Sequence, residues 1–387
     1  MYRNTYALID KNILKNNVKN IISTYSYYKY YFGVVKGNAY GHGYEIINSL
    51  IEGGINYLCV ATLDEAIEIR KFNKNIPILC LEPIDLKFID LVINNNITIT
   101  ICSYDYFLEL SDLSTDETIK AHIKIDSGMH RLGIKSSNEL REILNYKSNI
   151  YIEGIYTHFA TAGTYDNLYN KQVLNFNSML SAIDISKIDI IHADRSLTMV
   201  RHNKLNNVNG VRLGICMYGF AQSTSPPNGI NKIKAIIRKY PKNVIYENNL
   251  KVDTAISLFA PIIALEDVKK GEFVGYGAKY IANHDIKVAT IAIGYYDGFK
   301  QGIQFVSINN IKCPLIGECC MDMIMVEIPE CLYDKIDVDI HAKKNDKITI
   351  VEIFGKNISL KSICTQCSSN AYKVLTGISD RVSRIYK

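Results

Sequence analysis

The chain has 387 residues, of which 48% are hydrophobic and 21% charged, and its formal net charge is +5. These values are ordinary for a folded globular protein, and the length exceeds one ordinary core, so two domains are expected. Positive charges are spread along the chain without a basic run, which argues against a nucleic-acid partner. The first residues contain no apolar signal core and no later segment is apolar over the thickness of a bilayer, so a cytoplasmic protein with no membrane partner is expected.

Ten cysteines in a chain without a secretory signal are expected to be reduced thiols rather than a disulfide framework. Cys364 and Cys367 have the spacing of a redox or zinc site, but no second pair of ligands with suitable spacing accompanies them. We therefore expect no metal.

From residue 31 to about 220, short runs rich in Val and Ile alternate with helix-like segments. Strands are predicted at 57–61, 76–81, 97–102, 121–125, 152–157 and 188–192, and helices at 63–71, 138–146 and 171–183. Repeated strand–helix units over this length indicate a (β/α)8 barrel, whose active site gathers at the carboxyl ends of the strands. Lys36, Lys124, His158 and His192 all stand at or just after such ends.

The segment 222–249 is polar and contains three prolines, which is typical of a linker or an insertion. From Leu250 onward, short apolar runs separated by turns predict a mainly β domain. The expected fold is α/β, with an N-terminal TIM-like (β/α)8 barrel over residues 1–240 and a C-terminal β domain over 241–387. The first strand of the chain could instead pack on the second domain.

Lys36 ends the apolar run 33–35 and is followed by small, flexible residues up to Gly43. A lysine buried at a strand end loses the hydration of its ammonium form, so its pKa falls and the free amine can form a Schiff base. The segment 33–43 resembles the signature of the alanine racemases, whose lysine binds pyridoxal phosphate (PLP) and whose tyrosine four residues later meets the cofactor phosphate. The resemblance assigns these roles to Lys36 and Tyr40.

The resemblance extends to residues 122–133, where it implies that Arg131 approaches the cofactor and the substrate. Lys124 matches a lysine that is carbamylated in several members of the family. We expect the carbamate here, because an ammonium beside Arg131 would repel it, although an unmodified lysine stays an alternative. In the segment 154–160, His158 corresponds to the family's histidine beside the pyridine ring of the cofactor.

Residues 211–219 match the family segment that separates racemases from other PLP enzymes. By this resemblance Arg212 faces the pyridine nitrogen, where its permanent charge disfavours protonation of the ring and so suppresses transamination. The backbone amides of Gly214 and Ile215 are implied to bind the cofactor phosphate, as N–H groups at a helix start can do. The hydroxyl of Ser196 is implied to bind the same phosphate.

Racemisation removes a proton from one face of the substrate Cα and returns it to the other, which takes two bases. In the second domain, residues 275–278 match the family segment that carries the second base, here Tyr276. In the family this tyrosine comes from the partner subunit, so a homodimer with shared active sites is implied. The resemblance also places Tyr295 and Met321 at the substrate and Tyr372 at the phosphate, where it narrows the site.

The resemblance covers essentially the whole chain, but four positions depart from the usual family residues. Arg195 replaces an asparagine, Glu318 an arginine, Ala371 an asparagine and Lys373 a glutamate. Because Arg195 and Glu318 carry opposite charges, a charge exchange across the site is one hypothesis. These departures concern substrate choice and rate more than the PLP assignment.

The function that these matches imply is a PLP-dependent alanine racemase that interconverts L-alanine and D-alanine by two bases and supplies D-alanine for peptidoglycan. One alternative is a serine or broad-specificity amino-acid racemase. Another is a PLP-binding homologue with little turnover, although the second domain and Tyr276 count against it.

Overall fold

The computed structural model describes residues 3–113, 115–161, 167–221, 228–237, 244–245, 250–336, 338 and 349–387. The chain divides into two compact units. The first, the barrel unit, consists of Leu14–Ala39 and Tyr44–Asp253, and the second, the β unit, of Met1–Ile13, Tyr40–Gly43 and Thr254–Lys387. The domain boundary predicted at 240/241 falls outside the described residues.

The chain begins with strand β1 (Tyr6–Ile9), which belongs to the β unit. The next eight strands form a closed, parallel barrel in chain order: β2 (Tyr30–Val34), β3 (Tyr57–Val60), β4 (Ile78–Cys80), β5 (Ile97–Ile101), β6 (Ile119–Lys124), β7 (Ile150–Tyr156), β8 (Ile190–Arg195) and β9 (Gly210–Leu213). Every residue of β3, β4, β5 and β9 is buried, because helices cover the outer face of a parallel barrel and side chains fill its interior. The barrel predicted from the sequence is confirmed, and its predicted strand ends differ from the observed ones by at most three residues.

Helices connect the strands: α1 (Lys11–Thr24), α2 (Lys36–Tyr40), α3 (Ile47–Gly53), α4 (Leu63–Arg70), α5 (Ile89–Asn94), α6 (Tyr104–Ser111), α7 (Ser137–Asn145), α8 (Leu168–Ser181), α9 (Ser196–Arg201) and α10 (Gly229–Ile237). Short 3₁₀ turns lie at Tyr44–Ile46, Leu86–Phe88 and Ile185–Lys187. Three of the helices begin at a hydroxyl side chain, Thr62, Ser103 or Ser136, that accepts a hydrogen bond from a backbone N–H of the first turn. These N-caps satisfy donors that have no partner inside the helix.

The described residues of the β unit contain nine further strands and two helices: β10 (Ile256–Val268), β11 (Phe273–Val274), β12 (Tyr280–Ile281), β13 (Ile286–Ile291), β14 (Phe305–Ile308), β15 (Ile311–Ile316), β16 (Ile324–Ile328), β17 (Ile350–Phe354), α11 (Leu360–Gln366), α12 (Ala371–Leu375) and β18 (Ser383–Tyr386). Eight strands, including β1, form one sheet in the order β13-β16-β15-β14-β17-β10-β1-β18. Strand β10 also pairs with β13, so the strands from β13 to β10 close on themselves. The mainly β second domain predicted from the sequence is confirmed.

Strand β1 pairs antiparallel with β10 and parallel with β18, so the two ends of the chain meet in the β unit. Among the described residues, every helix is too short or too polar to cross a bilayer.

Candidate active site

Five neighbouring barrel strands carry the candidate residues at their carboxyl ends. In pairing order they are β6, β7, β8, β9 and β2. Lys124 is the last residue of β6, His158 follows β7, Ser196 follows β8, Gly214 follows β9 and Lys36 follows β2. Because parallel strands end on the same face of a barrel, these residues share one mouth.

Lys36 is exposed, so the expectation of a buried amine was wrong. The physical reason is its position beyond the last residue of β2, at the open end of the barrel. The backbone after it turns left-handed, with φ of 65°, 52°, 51° and 54° at residues 37–40. Such values cost about 1–2 kcal/mol for each residue other than glycine, so the surrounding structure must hold them. Glu65 contributes, because its carboxylate accepts the N–H of Gly37 at 2.7 Å and that of Ala61 at 2.8 Å.

Arg212 is buried in β9 and is held by four hydrogen bonds. Its Nη1 donates to Nδ1 of His192 at 2.7 Å and to the His192 carbonyl at 3.1 Å. Its Nη2 donates to the carbonyls of Thr157 at 2.6 Å and Ala193 at 3.1 Å. A guanidinium has five N–H donors, and within the described part of the chain the Nε–H of Arg212 has no acceptor. The side chain is therefore fixed with one donor left for a ligand.

Burial, together with the positive charges around Arg212, determines the protonation of Lys124 and His158. Burial, followed by the charges of Arg212 and Arg131, lowers the pKa of the Lys124 amine to about 7. Burial, followed by the charges of Arg212, Arg195 and Arg131, lowers the pKa of His158 to about 2. At neutral pH the mouth therefore holds a neutral imidazole and a lysine that is substantially a free amine.

Ser196 lies against the turn that follows β9. Its Oγ accepts the backbone N–H of Gly214 at 2.9 Å and the thiol of Cys216 at 3.0 Å. Both lone pairs of the oxygen are thereby used, so the hydroxyl hydrogen is directed to another acceptor. Gly214 and Ile215 begin a series of tight turns rather than the helix start expected from the sequence.

The two tyrosines that the family resemblance assigns to the phosphate lie together in the β unit. The rings of Tyr40 and Tyr372 are 5.8 Å apart at an angle of 50°. Gly41 fixes this approach, because its φ is +79° and a Cβ there would lie 2.2 Å from the carbonyl oxygen of Leu375. Only glycine fits such a position.

Three further predicted site residues, Tyr276, Tyr295 and Met321, are exposed in the β unit. The exposed fractions are 72% for Tyr276, 48% for Tyr295 and 49% for Met321. Tyr295 donates its N–H to the Cys320 carbonyl and Tyr296 donates to the Met321 carbonyl, each at 3.1 Å. The segment 294–298 therefore lies directly beside the segment 320–322.

Asp297 holds the segment 294–298, which carries Tyr295, through hydrogen bonds of its side chain. Its side chain is fully buried and accepts hydrogen bonds from the Gly294 N–H at 2.8 Å, from Arg381 Nε at 2.8 Å and from Arg3. Burial alone would raise the pKa of Asp297, but the hydrogen bonds from Arg3 and Arg381 outweigh it and keep the pKa below its usual value. The loop that carries Tyr295 is thus tied to two arginines far away in the sequence.

The departures from the family pattern have partners within their own units. Glu318 forms an ion pair with Lys279 at 2.5 Å. Arg195 donates its Nε–H to the Phe159 carbonyl at 3.3 Å. The exchange of charge between Arg195 and Glu318 stays a prediction.

The sequence reasoning missed three polar residues of the barrel, the buried His122 and Tyr57 and the half-buried Glu153, and gave His192 no role. Their hydrogen bonds join them to Arg212 through His192. The sequence does indicate that His122 points into the barrel. It precedes Lys124 by two residues, and alternate residues of a strand lie on the same face. The interior of a barrel is usually filled by branched apolar side chains, so an inward histidine is informative.

Two family models match almost the whole chain: "Alanine racemase, N-terminal domain" over residues 9–222 and "Alanine racemase, C-terminal domain" over residues 255–386. The chain belongs to the alanine racemase family. An alanine racemase of Streptococcus agalactiae is 33% identical over 392 residues, which cover 100% of this chain and 99% of that relative. This family membership makes the protein an amino-acid racemase.

Solved structures of the alanine racemase family share the fold. The crystal structure of alanine racemase from E. faecalis has a TM-score of 0.84 and 27% identity, and covers 100% of this chain and 98% of that chain. A histidine racemase from Leuconostoc mesenteroides has a TM-score of 0.82 and 23% identity, with the same two coverages, and it shows the common fold alone. The alanine racemase family is PLP-dependent, and the fit of this chain to PLP can be judged from its own residues.

Proposed function

We propose that the protein is a PLP-dependent alanine racemase that interconverts L-alanine and D-alanine. The observation that carries the proposal is Arg212, a buried guanidinium with four N–H groups bound to the protein and its Nε–H left for a ligand. It lies among strand ends that also carry the amine of Lys36. An amine for a carbonyl group and a fixed cation for a ring nitrogen are the donors that PLP requires.

When bound, PLP supplies an electron-withdrawing ring that stabilises negative charge at the substrate Cα. Lys36 holds the cofactor carbon, and Arg212 keeps its ring nitrogen unprotonated. By the family resemblance, the hydroxyl of Ser196 and the amides of Gly214 and Ile215 would bind the phosphate, with the Gly214 N–H shared between the phosphate and Ser196 Oγ. By the same resemblance His158 would lie beside the ring, where its lowered pKa would keep it neutral and add no further positive charge.

The family resemblance adds Tyr40 and Tyr372 to the phosphate ligands. Their ring contact in the β unit supports a common role for the two side chains. By the family resemblance, the ring of Tyr372 would narrow the site to a methyl side chain, so alanine is the proposed substrate and larger amino acids are disfavoured. A single hydroxyl is hard to exclude sterically.

Two bases on opposite faces of Cα move the proton. Lys36 serves one face and Tyr276 of the partner subunit serves the other, so the proposed enzyme is a homodimer. The exposure of Tyr276, Tyr295 and Met321 in the β unit supports this assembly, because large side chains at a surface are accessible to a partner subunit. Tyr295, Met321 and Arg131 bind the substrate.

Lys124 is proposed to carry a carbamate, formed when its free amine adds CO2 and releases a proton. The pKa of about 7 supports this, since only the unprotonated amine reacts. The added carboxylate would place an anion near Arg131, whose guanidinium can bind it, and its charge would also offset that of Arg212. In the cell the enzyme is proposed to act in the cytoplasm and to supply D-alanine for peptidoglycan.

The test incubates purified protein and PLP with L-alanine, L-serine or L-histidine in deuterium oxide, followed by chiral analysis and measurement of deuterium at Cα. D-alanine formed with deuterium at Cα, and lost in Lys36→Ala and Tyr276→Phe, is the expected result. Faster inversion of serine or histidine would overturn the choice of substrate. Bound PLP without inversion of any amino acid would overturn the enzyme assignment and indicate a PLP-binding homologue.

A further inference from the structure

A continuous chain of hydrogen bonds runs through the barrel interior from Arg212 to Glu153. Nη1 of Arg212 lies 2.7 Å from Nδ1 of His192, and Nε2 of His192 lies 2.9 Å from Nδ1 of His122. Nε2 of His122 then lies 3.1 Å from Oε2 of Glu153, which Tyr57 also contacts through its hydroxyl at 2.7 Å. Both histidines are fully buried.

A donor at one end of this chain, Arg212, and an acceptor at the other, Glu153, set the direction of its bonds. A guanidinium only donates, so Nδ1 of His192 must carry a lone pair, and the ring hydrogen of His192 must be on Nε2. That hydrogen is donated to Nδ1 of His122, which must in turn be unprotonated. The hydrogen of His122 is therefore on its Nε2 and is donated to Glu153. The donor Arg212 and the acceptor Glu153 therefore favour the same tautomer of each ring, and without Glu153 the hydrogen on Nε2 of His122 would lose its acceptor.

Glu153 reaches the barrel interior because of an irregularity in β7. The pairing with β6 shifts between Ala121 and His122, so that Ile152 and Gly154 face successive residues and Glu153 is the extra residue of a bulge. Bulges of this kind redirect a side chain and are common beside active sites. Without the bulge, the alternation of the strand would turn residue 153 away from the face that residues 152 and 154 share.

Close packing holds the two imidazoles in place. A Cβ at Gly154 would lie 2.8 Å from the ring of His122, so only glycine leaves room for that ring. The ring of His192 is stacked between the rings of Phe32 and Tyr156, with distances between ring centroids of 4.5 Å and 4.7 Å. Neither ring can rotate freely to exchange its nitrogen atoms, so a change of tautomer is the available response to a change at Glu153.

Burial, followed by the charge of Arg212 among other groups, lowers the pKa of His192 well below its usual range. Burial also lowers the pKa of His122, against the effect of Glu153. For Glu153 itself, burial alone would raise the pKa, but hydrogen bonds from His122 and Tyr57 outweigh it and lower the pKa. Two neutral imidazoles thus link a cation to an anion.

We propose that Glu153 is a positioning residue, which fixes the tautomers of His122 and His192 and through them holds the Arg212 guanidinium with its Nε–H directed at the cofactor site. If Glu153 could not accept a hydrogen bond, His122 would be free to carry its hydrogen on Nδ1. The Nδ1–H of His122 would then face the Nε2–H of His192. If His192 moved its hydrogen to Nδ1 in response, that N–H would face the N–H of Arg212, and the contact with Arg212 would be lost. The part that concerns the cofactor rests on the proposed function, whereas the tautomers do not.

The test uses protein labelled with ¹⁵N-histidine, with ring nitrogens assigned through His122→Asn and His192→Asn, and recorded with and without PLP. In the wild type, both rings are expected to be neutral with the hydrogen on Nε2. In Glu153→Leu, which removes the acceptor, His122 is expected to shift its hydrogen to Nδ1, while Glu153→Gln keeps a carbonyl acceptor and the original tautomers. A hydrogen on Nδ1 of either ring in the wild type, or unchanged tautomers in Glu153→Leu, would overturn the proposal.

Kinetics then test the link to Arg212. Glu153→Leu is expected to lower kcat for racemisation roughly 10- to 100-fold with little change in KM for alanine, because a displaced catalytic group slows the reaction more than binding. Glu153→Gln should restore most of the rate. Glu352→Gln is the matched control, since Glu352 is a buried carboxylate of the β unit that accepts the N–H groups of Asn357 and Ile358. If Glu153→Leu were as active as this control, the positioning role would be wrong, whereas an inactive wild type with the expected tautomers would contradict only the proposed function.

Discussion

Replacing Lys124 with methionine tests the electrostatics of the barrel mouth. Methionine has a similar length and no charge, so the variant removes a titrating group from a buried position while keeping its volume. The lysine side chain lies beside the charges of Arg212 and Arg131 and is almost fully buried. Its protonation must therefore oppose folding.

The magnitude follows from the difference between the folded and unfolded pKa. Burial, with the two arginines, lowers the pKa of Lys124 from 10.5 to about 7 in the folded protein. Between these values the unfolded chain binds one more proton than the folded protein, so the free energy of unfolding rises with pH. The rise is at most about 1.4 kcal/mol per pH unit, and integration from pH 7.5 to 9.5 gives roughly 2–3 kcal/mol. Below pH 7 both states are protonated and the penalty is constant.

The assay is urea unfolding of wild type and Lys124→Met in CO2-free buffer at pH 7.5 and 9.5. The chain has 27 tyrosines and no tryptophan, so tyrosine fluorescence and far-UV circular dichroism report unfolding, and the two transitions should coincide. Other titrating groups affect both proteins alike and cancel in the difference. Relative to the variant, the wild type should gain roughly 2–3 kcal/mol at the higher pH. A parallel response of the two proteins would refute the depressed pKa and, with it, the main support for carbamylation.

Three further changes test the β unit. Gly41→Ala should destabilise the protein by at least about 2 kcal/mol in thermal or urea unfolding, because φ is +79° and a carbonyl oxygen blocks the added Cβ. Gly271→Ala is the control: φ there is +90° but no atom lies within 4 Å of the added Cβ, so this variant should show only the smaller loss that comes from backbone strain. Asp297→Asn should lower the free energy of unfolding by about 2–3 kcal/mol at pH 7. The difference in unfolding free energy between wild type and variant should become smaller below about pH 4, because a lowered carboxyl pKa stabilises the folded protein only while the carboxylate is ionised. Tyr276→Phe should abolish racemisation with an unchanged melting temperature, because the side chain is 72% exposed; a large loss of stability would instead indicate a structural role.

Much of the barrel was predictable because its signal is local. Strands of a parallel barrel are buried on both faces, so they appear in the sequence as runs of Val and Ile, and the helices between them appear as amphipathic segments. The predicted ends of both agree with the observed ends to within three residues. The second unit was predictable as mainly β, but the order of its sheet was not. Strand β1 pairs with β10 and β18 from the other end of the chain, and no local pattern specifies such partners.

The candidate site shows the same division. Lys36 and His158 could be placed at the mouth because residues at strand ends meet there in any parallel barrel, whereas Arg212 was singled out only by the resemblance to alanine racemases. The exposure of Lys36 could not be predicted, since it depends on where strand β2 ends relative to the neighbouring strands. Glu153 was missed for a related reason, because a bulge in β7 changes the face on which its side chain lies.

By itself, the sequence determined the succession of strands and helices, the change from an α/β to a mainly β pattern, and which reactive side chains stand at strand ends. These properties depend on periodicity over a few residues. The tertiary structure alone decided that Lys124 is buried between two arginines, that Arg212 is tied through His192 and His122 to Glu153, and that Asp297 binds Arg3 from the opposite end of the chain. Burial and hydrogen-bond partners depend on atoms that are distant in sequence, and for this reason they emerge only when the chain is folded.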